Sequence, residues 1–272
     1  RRKILLHPFG GLVLRGTRRL PGRTGSDSVT HEDDSASEGV PVTLADHSEH
    51  VCDRAGGFAR DIGFPEELTH DIQIAATLHD LGKADPRFQV LLHDGNILQA
   101  QLSGRLLAKS NGMPRSRNAR RRTRQRSGLP TGFRHELLSV RLAENAASLL
   151  AKAHDPDLVL HLIAAHHGRC RPFAPVIPDE APQDVSVNID GTHFSYAPRA
   201  DIASGHGLER LDSGVAERFW RLVRRYGWWG LAYLEAVLIL ADHRASEAEE
   251  QNGQTDARAS QPQLQRAQED SK

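Results

Sequence analysis

Residues 78–83 of the chain read LHDLGK, and this segment places a histidine directly before an aspartate, His79-Asp80. At the end of a helix, adjacent residues of these two types present one imidazole nitrogen and one carboxylate in the same place. That mixture of ligands suits borderline divalent metals such as Mn, Co, Ni, Fe or Zn, and suits Mg less well. The pair is therefore a candidate for part of a hydrolytic metal site.

Further side chains of metal-binding type occur in similar contexts along the chain: His47, His135, His166, His167 and Asp242. Most of them fall within apolar helical patterns, where a buried imidazole or carboxylate needs a partner. The chain has 15 histidines in 272 residues, so some His-Asp neighbours are expected by chance. The prediction of a metal site therefore depends on this context and not on the pair alone.

Two metal ions about 3.5–4 Å apart can hold both the attacking and the leaving oxygen of a phosphoryl transfer. Such a pair needs a carboxylate that bridges the ions, imidazoles around each of them, and open positions for water and substrate. Asp80 is the natural bridge because its neighbour His79 can bind one ion beside it. Lys83, one turn later, can face the scissile phosphate as an ammonium charge. The remaining expected ligands are His47 and Asp242 for the first ion, and His135, His166 and His167 for the second.

Hydrophobic spacing predicts that helices carry these side chains. Thr43 with Asp46 resembles a capping box, and the helix that follows carries His47 on its apolar face. A second helix begins after Pro65, carries His79, and is expected to end at Gly82. Further helices are predicted from Asp85-Pro86, from His135, from Asp155-Pro156, over about 208–225 and over about 229–247. Residues 185–196 alternate around an Asp-Gly pair and predict a small hairpin, so the expected fold is all-α with a β-hairpin insertion.

The two ends of the chain differ in composition from this core. Residues 1–20 contain two short strand patterns, which predict a β stub or the end of a preceding domain. Residues 21–40 have the composition of a linker. The helical domain is expected over 41–249, and residues 250–272 are expected to be disordered.

Seven arginines crowd the segment between residues 115 and 126: Arg115, Arg117, Arg120, Arg121, Arg122, Arg124 and Arg126. No Asp or Glu occurs from residue 95 to residue 135. One interpretation is a solvated, disordered loop. The other is an arm that binds the phosphates of a nucleic acid and makes binding depend on salt. Trp220, Trp228 and Trp229 can stack on bases, although packing is the default for tryptophans in a helical context.

Composition says less about the class of protein than the motifs do. The formal net charge is zero, so it indicates no partner. The two cysteines, Cys52 and Cys170, lie far apart and predict no disulfide framework. No apolar stretch approaches the ~20 residues of a membrane span, so no membrane association is expected.

The motifs together resemble the HD superfamily of metal-dependent phosphohydrolases. The closer likeness is to the HD nuclease domain of the type I CRISPR-associated helicase–nuclease, over roughly residues 41–248. It is carried by HDLGKADPRFQVLLH from residue 79, RHE at 134–136, AAHHG at 164–168 and LADHRAS at 240–246.

The resemblance implies an HD-domain helical bundle that binds two divalent ions and cuts single-stranded DNA in CRISPR interference, an antiviral defence. The resemblance implies the same metal ligands as those expected above, with Asp80 shared between the two ions. It also implies that Mg is a candidate metal besides Mn, Co, Ni and Fe. Lys83 resembles a lysine near the phosphate, and Ser246 resembles a serine that follows the last aspartate. The implied partners are single-stranded DNA, a helicase that is fused or separate, and the CRISPR effector complex in a prokaryotic cytoplasm. The N-terminal β stub departs from the usual order and suggests that a helicase precedes the nuclease.

Two rival functions remain open. An HD phosphohydrolase of small nucleotides would use the same metals but needs a closed pocket for base and ribose. A degenerate HD module would act only in assembly or in nucleic-acid binding. The presence of every expected ligand type favours the nuclease over the degenerate module.

Overall fold

The computed structural model of the chain describes residues 2–6, 12–16, 41–110, 116–189, 191–199 and 201–269. The chain divides into two compact units, residues 1–34 and residues 35–272. The linker predicted over 21–40 and the arginine at position 115 lie outside the described residues.

The first unit contains an antiparallel strand pair, β1 (Arg2–Leu6) and β2 (Leu12–Gly16), in which Ile4 lies opposite Leu14. This pair agrees with the strands predicted at the start of the chain.

The second unit is mainly helical. Its helices are α1 (Leu44–Ile62), α2 (Glu66–Leu78), α3 (Pro86–Leu92), α4 (Ile97–Leu102), α5 (Arg117–Ser127), α6 (His135–Asn145), α7 (Ala147–Leu150), α8 (Pro156–Ala165) and α9 (Val215–Glu269). A 3₁₀ turn at Leu81–Ala84 follows α2. Two small antiparallel pairs complete the unit, β3 (Val42–Thr43) with β4 (Leu107–Lys109), and β5 (Val185–Ile189) with β6 (Thr192–Tyr196). The predicted all-α fold with a hairpin insertion is confirmed.

Local signals set several helix ends. The hydroxyl of Thr43 accepts a hydrogen bond from the Asp46 amide at 3.1 Å and begins α1. Gly63 ends α1 with a φ of 83°, a left-handed conformation that glycine adopts without a steric penalty. Asp155 accepts from the Leu158 amide at 3.2 Å and begins α8, with Pro156 in the first turn.

The core is formed where α1, α2, α6, α8 and α9 turn their apolar faces toward one another. Its largest fully buried side chains include Leu44, Ile72, Leu137, Leu162 and Ile163. α1 packs on α2 and α9, while α8 packs on α2, α6 and α9. Residues from α1 and from α9, the first and the last of the described helices, therefore reach the same interior.

The last helix differs from the prediction. Residues 208–214 form turns, and α9 begins at Val215. Gly227, with φ 72° and ψ 167°, divides α9 at the place where the sequence predicted a break between two helices. The helix then continues through Glu269, where a disordered tail was predicted from residue 250. Polar composition argues against a packed core, but Glu, Gln, Ala and Arg are good helix formers, so it does not argue against a helix.

The arginine-rich segment is helical over residues 117–127, so the first of its two interpretations, a disordered loop, is wrong for these residues. Ser116 caps α5 by accepting from the Ala119 amide at 3.1 Å, and Gly128 ends it in the left-handed region. Thr123 and Ser127 are buried on the face of α5 that packs against α3. Arginine has a high helix propensity, and one packed face offsets the repulsion among the charges on the other.

Candidate metal centre

The His79-Asp80 pair lies at the junction of α2 and the 3₁₀ turn, with both residues buried. The turn packs against the start of α6, where the Gly82 amide donates to the Ser139 hydroxyl at 2.8 Å. A Cβ atom at Gly82 would lie only 2.0 Å from the backbone oxygen of His135. Gly82 was predicted to end α2, but α2 ends at Leu78 and the glycine instead permits this close approach.

The two carboxylate oxygens of Asp80 face two different groups of histidines. Oδ2 lies 3.5 Å from Nε2 of His47 and 3.5 Å from Nε2 of His79. Oδ1 lies 2.9 Å from Nε2 of His135 and 4.0 Å from Nε2 of His166. The carboxylate therefore lies between two sets of potential ligands, as a bridging group would.

The first group gathers side chains from α1, the end of α2 and α9. Ligand atoms of His47, His79 and Asp80 all lie within 4.8 Å of one another. Asp242 adjoins them, since its Oδ1 is 3.2 Å from Nε2 of His47. Ser246, one turn later on α9, donates to the same oxygen at 3.4 Å.

The second group comes from the start of α6 and the end of α8. Ligand atoms of His135, His166 and His167 lie within 4.8 Å of one another. The Nε2 atoms of His135 and His167 are 3.2 Å apart. The structure thus brings together all the side chains that the sequence singled out as metal ligands.

Two ring nitrogens test whether this site fits a cation. Nδ1 of His79 donates to the Ala76 carbonyl at 2.6 Å, and Nδ1 of His166 donates to the Ile163 carbonyl at 2.7 Å. Each ring therefore turns an unprotonated Nε2 toward Asp80. Both Nε2 atoms are buried and have no hydrogen-bond partner among the described residues. A buried acceptor without a partner is costly, and a metal ion beside each nitrogen would satisfy it, so the side chains fit divalent cations.

Electrostatics favour the neutral, metal-binding form of two histidines of the second group, His166 and His167. Burial lowers the pKa of His166 to about 3, and the neighbouring histidines add to the effect. Burial and the rings of His166 and His135 hold the pKa of His167 well below its usual range. These imidazoles are neutral at physiological pH, which is the form that coordinates metals.

Asp80 remains a carboxylate in this buried place. Burial by itself would raise its pKa, but Lys83 and the adjacent histidines lower the pKa well below its usual range. The Lys83 ammonium group lies 2.6 Å from Oδ2 of Asp80. The expected lysine is thus placed at the edge of the centre, beside the group that would bridge the ions.

Burial opposes the protonation of His135, but its hydrogen bond with Asp80 raises its pKa. The pKa of His47 is raised as well. Burial opposes its protonation, but hydrogen bonds with Asp242 and Glu249 outweigh that cost and raise the pKa of His47 to about 9. Glu249 lies seven residues after Asp242 on α9, and the sequence-based prediction missed it. The spacing of two helical turns after Asp242 is the signal that could have indicated it.

Two other acidic residues have structural partners that the sequence did not reveal. Asp71 is fully buried and accepts from the backbone amides of His154 and Asp155 at 2.7 and 2.8 Å. Glu235 accepts from Nε2 of His161 at 2.7 Å, so His161 is a satisfied core histidine and not part of the centre.

Other candidates lie apart from the centre or on the surface. Cys170 is buried, and burial raises its pKa to about 12, so it remains a thiol. Trp228 and Trp229 are exposed, and Trp228 contacts Trp220 edge to face. On α5, the side chains of Arg121, Arg122 and Arg126 are exposed, those of Arg120 and Arg124 are half-buried, and that of Arg117 lies outside the described set.

A comparison with family models finds one that matches residues 29–250 and is described as Cas3, HD domain. The match includes every side chain of the two histidine groups. No curated protein and no solved structure matches the chain.

Proposed function

The chain belongs to the Cas3 HD domain family, and from that membership we propose that it hydrolyses phosphodiester bonds of single-stranded DNA. The coarser activity, that of a metal-dependent nuclease of CRISPR systems, follows from the family. Beyond the family, we propose that the substrate is single-stranded DNA and that the activity serves CRISPR interference. The observation that supports hydrolysis of a phosphodiester by two metal ions is the placement of Asp80, whose two oxygens face two separate groups of histidines.

We assign two divalent ions to the two groups, with Asp80 shared between them. The first ion would take His47, His79 and Asp242, and the second would take His135, His166 and His167. These groups mix imidazole nitrogen with carboxylate oxygen, which supports Mn, Co, Ni or Fe and leaves Mg as a weaker candidate. When bound, the ions would polarise the scissile phosphate and lower the pKa of a water molecule.

The residues of this chain have their own tasks in that reaction. The Asp80 carboxylate sets the spacing of the two groups, and the neutral rings of His166 and His167 keep lone pairs directed at the centre. Lys83 places an ammonium charge beside the position that the phosphate would occupy, where a mostly buried setting strengthens its attraction for anionic oxygens. Ser246 would hold the Asp242 carboxylate in place through its hydrogen bond.

α5 is proposed to capture the DNA. Its packed face is held on α3, so the arginines on its other face project outward from a fixed support. Arg126 also lines a surface cleft of about 700 Å³ together with His93 and Asn96. Guanidinium groups bind phosphates without reading bases, which suits a nuclease that cuts any strand. Arg115, Arg117, Arg120, Arg121, Arg122, Arg124 and Arg126 together form the proposed binding set.

The family also supports proposals about partners. A Cas3 HD domain works with a helicase that supplies single strands, and we propose such a helicase, fused or separate, together with a CRISPR effector complex, in a prokaryotic cytoplasm. No helix among the described residues has the length and apolar character needed to cross a membrane.

Incubation of the purified chain with circular single-stranded DNA tests the proposal. Parallel reactions contain Mn, Ni, Co, Mg or EDTA. We expect linear and then shorter products with Mn, Ni or Co, and none with EDTA. A circle has no ends, so its cleavage also identifies endonuclease action. Intact circles in every metal would contradict the proposal.

The same reactions separate the two rivals. Release of phosphate from mononucleotides or small cyclic nucleotides, with DNA left intact, would identify a phosphohydrolase of small nucleotides. Binding of DNA without hydrolysis of any substrate would identify a degenerate module.

A further inference from the structure

Glu249 reaches the side of the His47 ring that faces away from the metal centre. Its carboxylate oxygens lie 3.0 and 3.1 Å from Nδ1 of His47, although the two residues are 202 positions apart in the chain. Nε2 of the same ring faces Asp80 and Asp242. The imidazole is therefore held between a carboxylate on one nitrogen and the candidate centre on the other.

Glu249 is itself fixed by two further basic groups. The Lys109 ammonium group, from β4, forms an ion pair with Oε2 at 2.9 Å, and Nδ1 of His50 lies 2.8 Å from Oε1. Lys109 and Glu249 are both buried. A buried carboxylate is stable only where such partners compensate its charge, so the interior of the protein holds Glu249 in a defined position.

The position of His47 in its helix explains why it needs a partner from elsewhere. His79 and His166 follow the ends of α2 and α8, where the last carbonyls have no partner within the helix, and each ring donates to one of them. His47 is the fourth residue of α1. At the N-terminal end of a helix the backbone amides lack partners, whereas the carbonyls are already hydrogen-bonded. The backbone there offers Nδ1 no free acceptor.

We propose that Glu249 is a positioning residue that fixes the His47 imidazole with Nε2 directed at the metal centre. Acceptance of the Nδ1 proton leaves the lone pair on Nε2, orients the ring and makes that nitrogen a stronger ligand. The inference rests on the proposed function only in taking His47 as a metal ligand. By this inference, a residue of α9 that lies beyond Asp242 orients a metal ligand of α1.

The test measures the affinity of the full chain for Mn²⁺ and Co²⁺ by competition with a chromophoric chelator. Loss of an outer partner of a ligating histidine typically weakens metal binding by about 10–100-fold. We expect Glu249→Gln to weaken affinity by at least about tenfold. Glu249→Asp keeps the negative charge beside Lys109 but withdraws the oxygens from Nδ1, so its loss should be smaller. This variant also serves if Glu249→Gln does not fold.

Glu235→Gln is the matched control. Glu235 is also buried on α9 and also bonded to a buried histidine, His161, but it is not in contact with the centre. We expect this variant to keep the wild-type affinity for metal. Melting temperatures of the metal-free proteins report the purely structural cost of each change.

The outcomes separate the inference from the proposed function. Wild-type affinity in folded Glu249→Gln, or an equal loss in Glu235→Gln, would overturn the positioning role. Wild-type protein that binds metal but cleaves no DNA would overturn the nuclease proposal and leave the role of Glu249 standing. Wild-type protein that binds no metal would overturn both.

Discussion

Asp80 has the largest number of interactions with other members of the candidate centre. It contacts Lys83 and lies near histidines of α1, of α6 and of the positions that directly follow α2 and α8. A single side chain can interact with so many elements because it follows the end of α2, where the chain turns toward the start of α6. We therefore expect the candidate centre to depend on this residue more than on any one histidine.

Replacement of Asp80 by alanine should abolish cleavage and lower the amount of bound metal, because the two groups of ligands lose the carboxylate between them. Loss of a residue that only supports a metal ligand lowers activity by up to about 100-fold. Asp80 is itself an expected ligand, so its loss should cost more than that. Metal content by mass spectrometry and cleavage of circular DNA check this. Asp53→Ala, at an exposed aspartate of α1, should behave as wild type. Unchanged cleavage by Asp80→Ala would rule out the bridging role.

His206 should make the stability of the fold depend on pH. Burial lowers its pKa to about 4, and its Nδ1 accepts from the Leu208 amide at 3.1 Å, which requires the neutral ring. The unfolded chain binds this proton near pH 6.5 and the folded chain only near pH 4, so the stability present above pH 6.5 is lost as the pH falls through this window. The contribution is about 3 kcal/mol at most.

His206→Asn tests this contribution, because an asparagine oxygen can accept the same hydrogen bond without titrating. Between pH 6.5 and 4.5 the free energy of unfolding, measured in urea, should fall less in the variant than in the wild type. Parallel pH profiles for the two proteins would show that this histidine has no part in acid sensitivity.

At the scale of elements, the contact between the 3₁₀ turn and α6 sets the distance between the two halves of the centre. Gly82→Ala should destabilise the protein by about 1–3 kcal/mol, because the added Cβ meets the backbone oxygen of His135 and one of the two elements must move. Gly57→Ala is the control: Gly57 lies within α1 with open space around it, so alanine there should be neutral or stabilising. Equal melting temperatures of Gly82→Ala and wild type would contradict the close packing.

α5 carries the prediction on substrate capture. Replacement of Arg121, Arg122 and Arg126 by alanine should weaken binding of single-stranded DNA and reduce the slope of log affinity against log salt by about 0.7 for each lost phosphate contact. Alanine favours helix, so α5 should persist. Turnover at saturating DNA should change little, because the groups around Asp80 are untouched.

A second triple variant controls for the loss of positive charge in general. Arg199, Arg210 and Arg244 are exposed arginines, each in an ion pair with an acidic neighbour, and their replacement by alanine should leave the salt slope unchanged. Identical slopes for all three proteins would leave α5 as a solvated surface.

At the scale of the whole molecule, the candidate centre joins helices that are distant in sequence. His47 lies near the start of α1 and Asp242 lies on α9, and the two side chains meet at 3.2 Å. A metal ion bound by both would connect α1 with α9, the first and the last of the described helices. Its binding energy would then contribute to the stability of the entire bundle and not of one element.

Metal should therefore raise the melting temperature of the chain. An ion that binds only the folded state at 100 times its dissociation constant stabilises it by about 2.7 kcal/mol. Differential scanning calorimetry with Mn²⁺ and then with excess EDTA checks this, with Asp80→Ala as the variant in which the shift should shrink. A melting temperature that does not respond to metal, in protein shown to bind it, would count against the connection between α1 and α9.

Local patterns in the sequence by themselves determined much of this protein. The caps at Thr43 and Asp155 and the periodic apolar faces predicted helices that the structure contains, because both signals act over one or two turns. The HD motifs, which lie at helix ends or on apolar faces, identified the family and the side chains that meet around Asp80. Such features depend on neighbours in the chain and can be read without a fold.

Tertiary structure alone decided which distant groups became partners. Glu249, Lys109 and Asp71 resemble ordinary surface charges in the sequence, and only packing buries each beside its partner. The arginine-rich segment became a helix because one of its faces packs on α3, a contact that charge density does not reveal. The need for glycine at position 82 likewise arises from a neighbour on α6, far along the chain. These outcomes depend on desolvation and close approach between remote segments, which local sequence patterns do not encode.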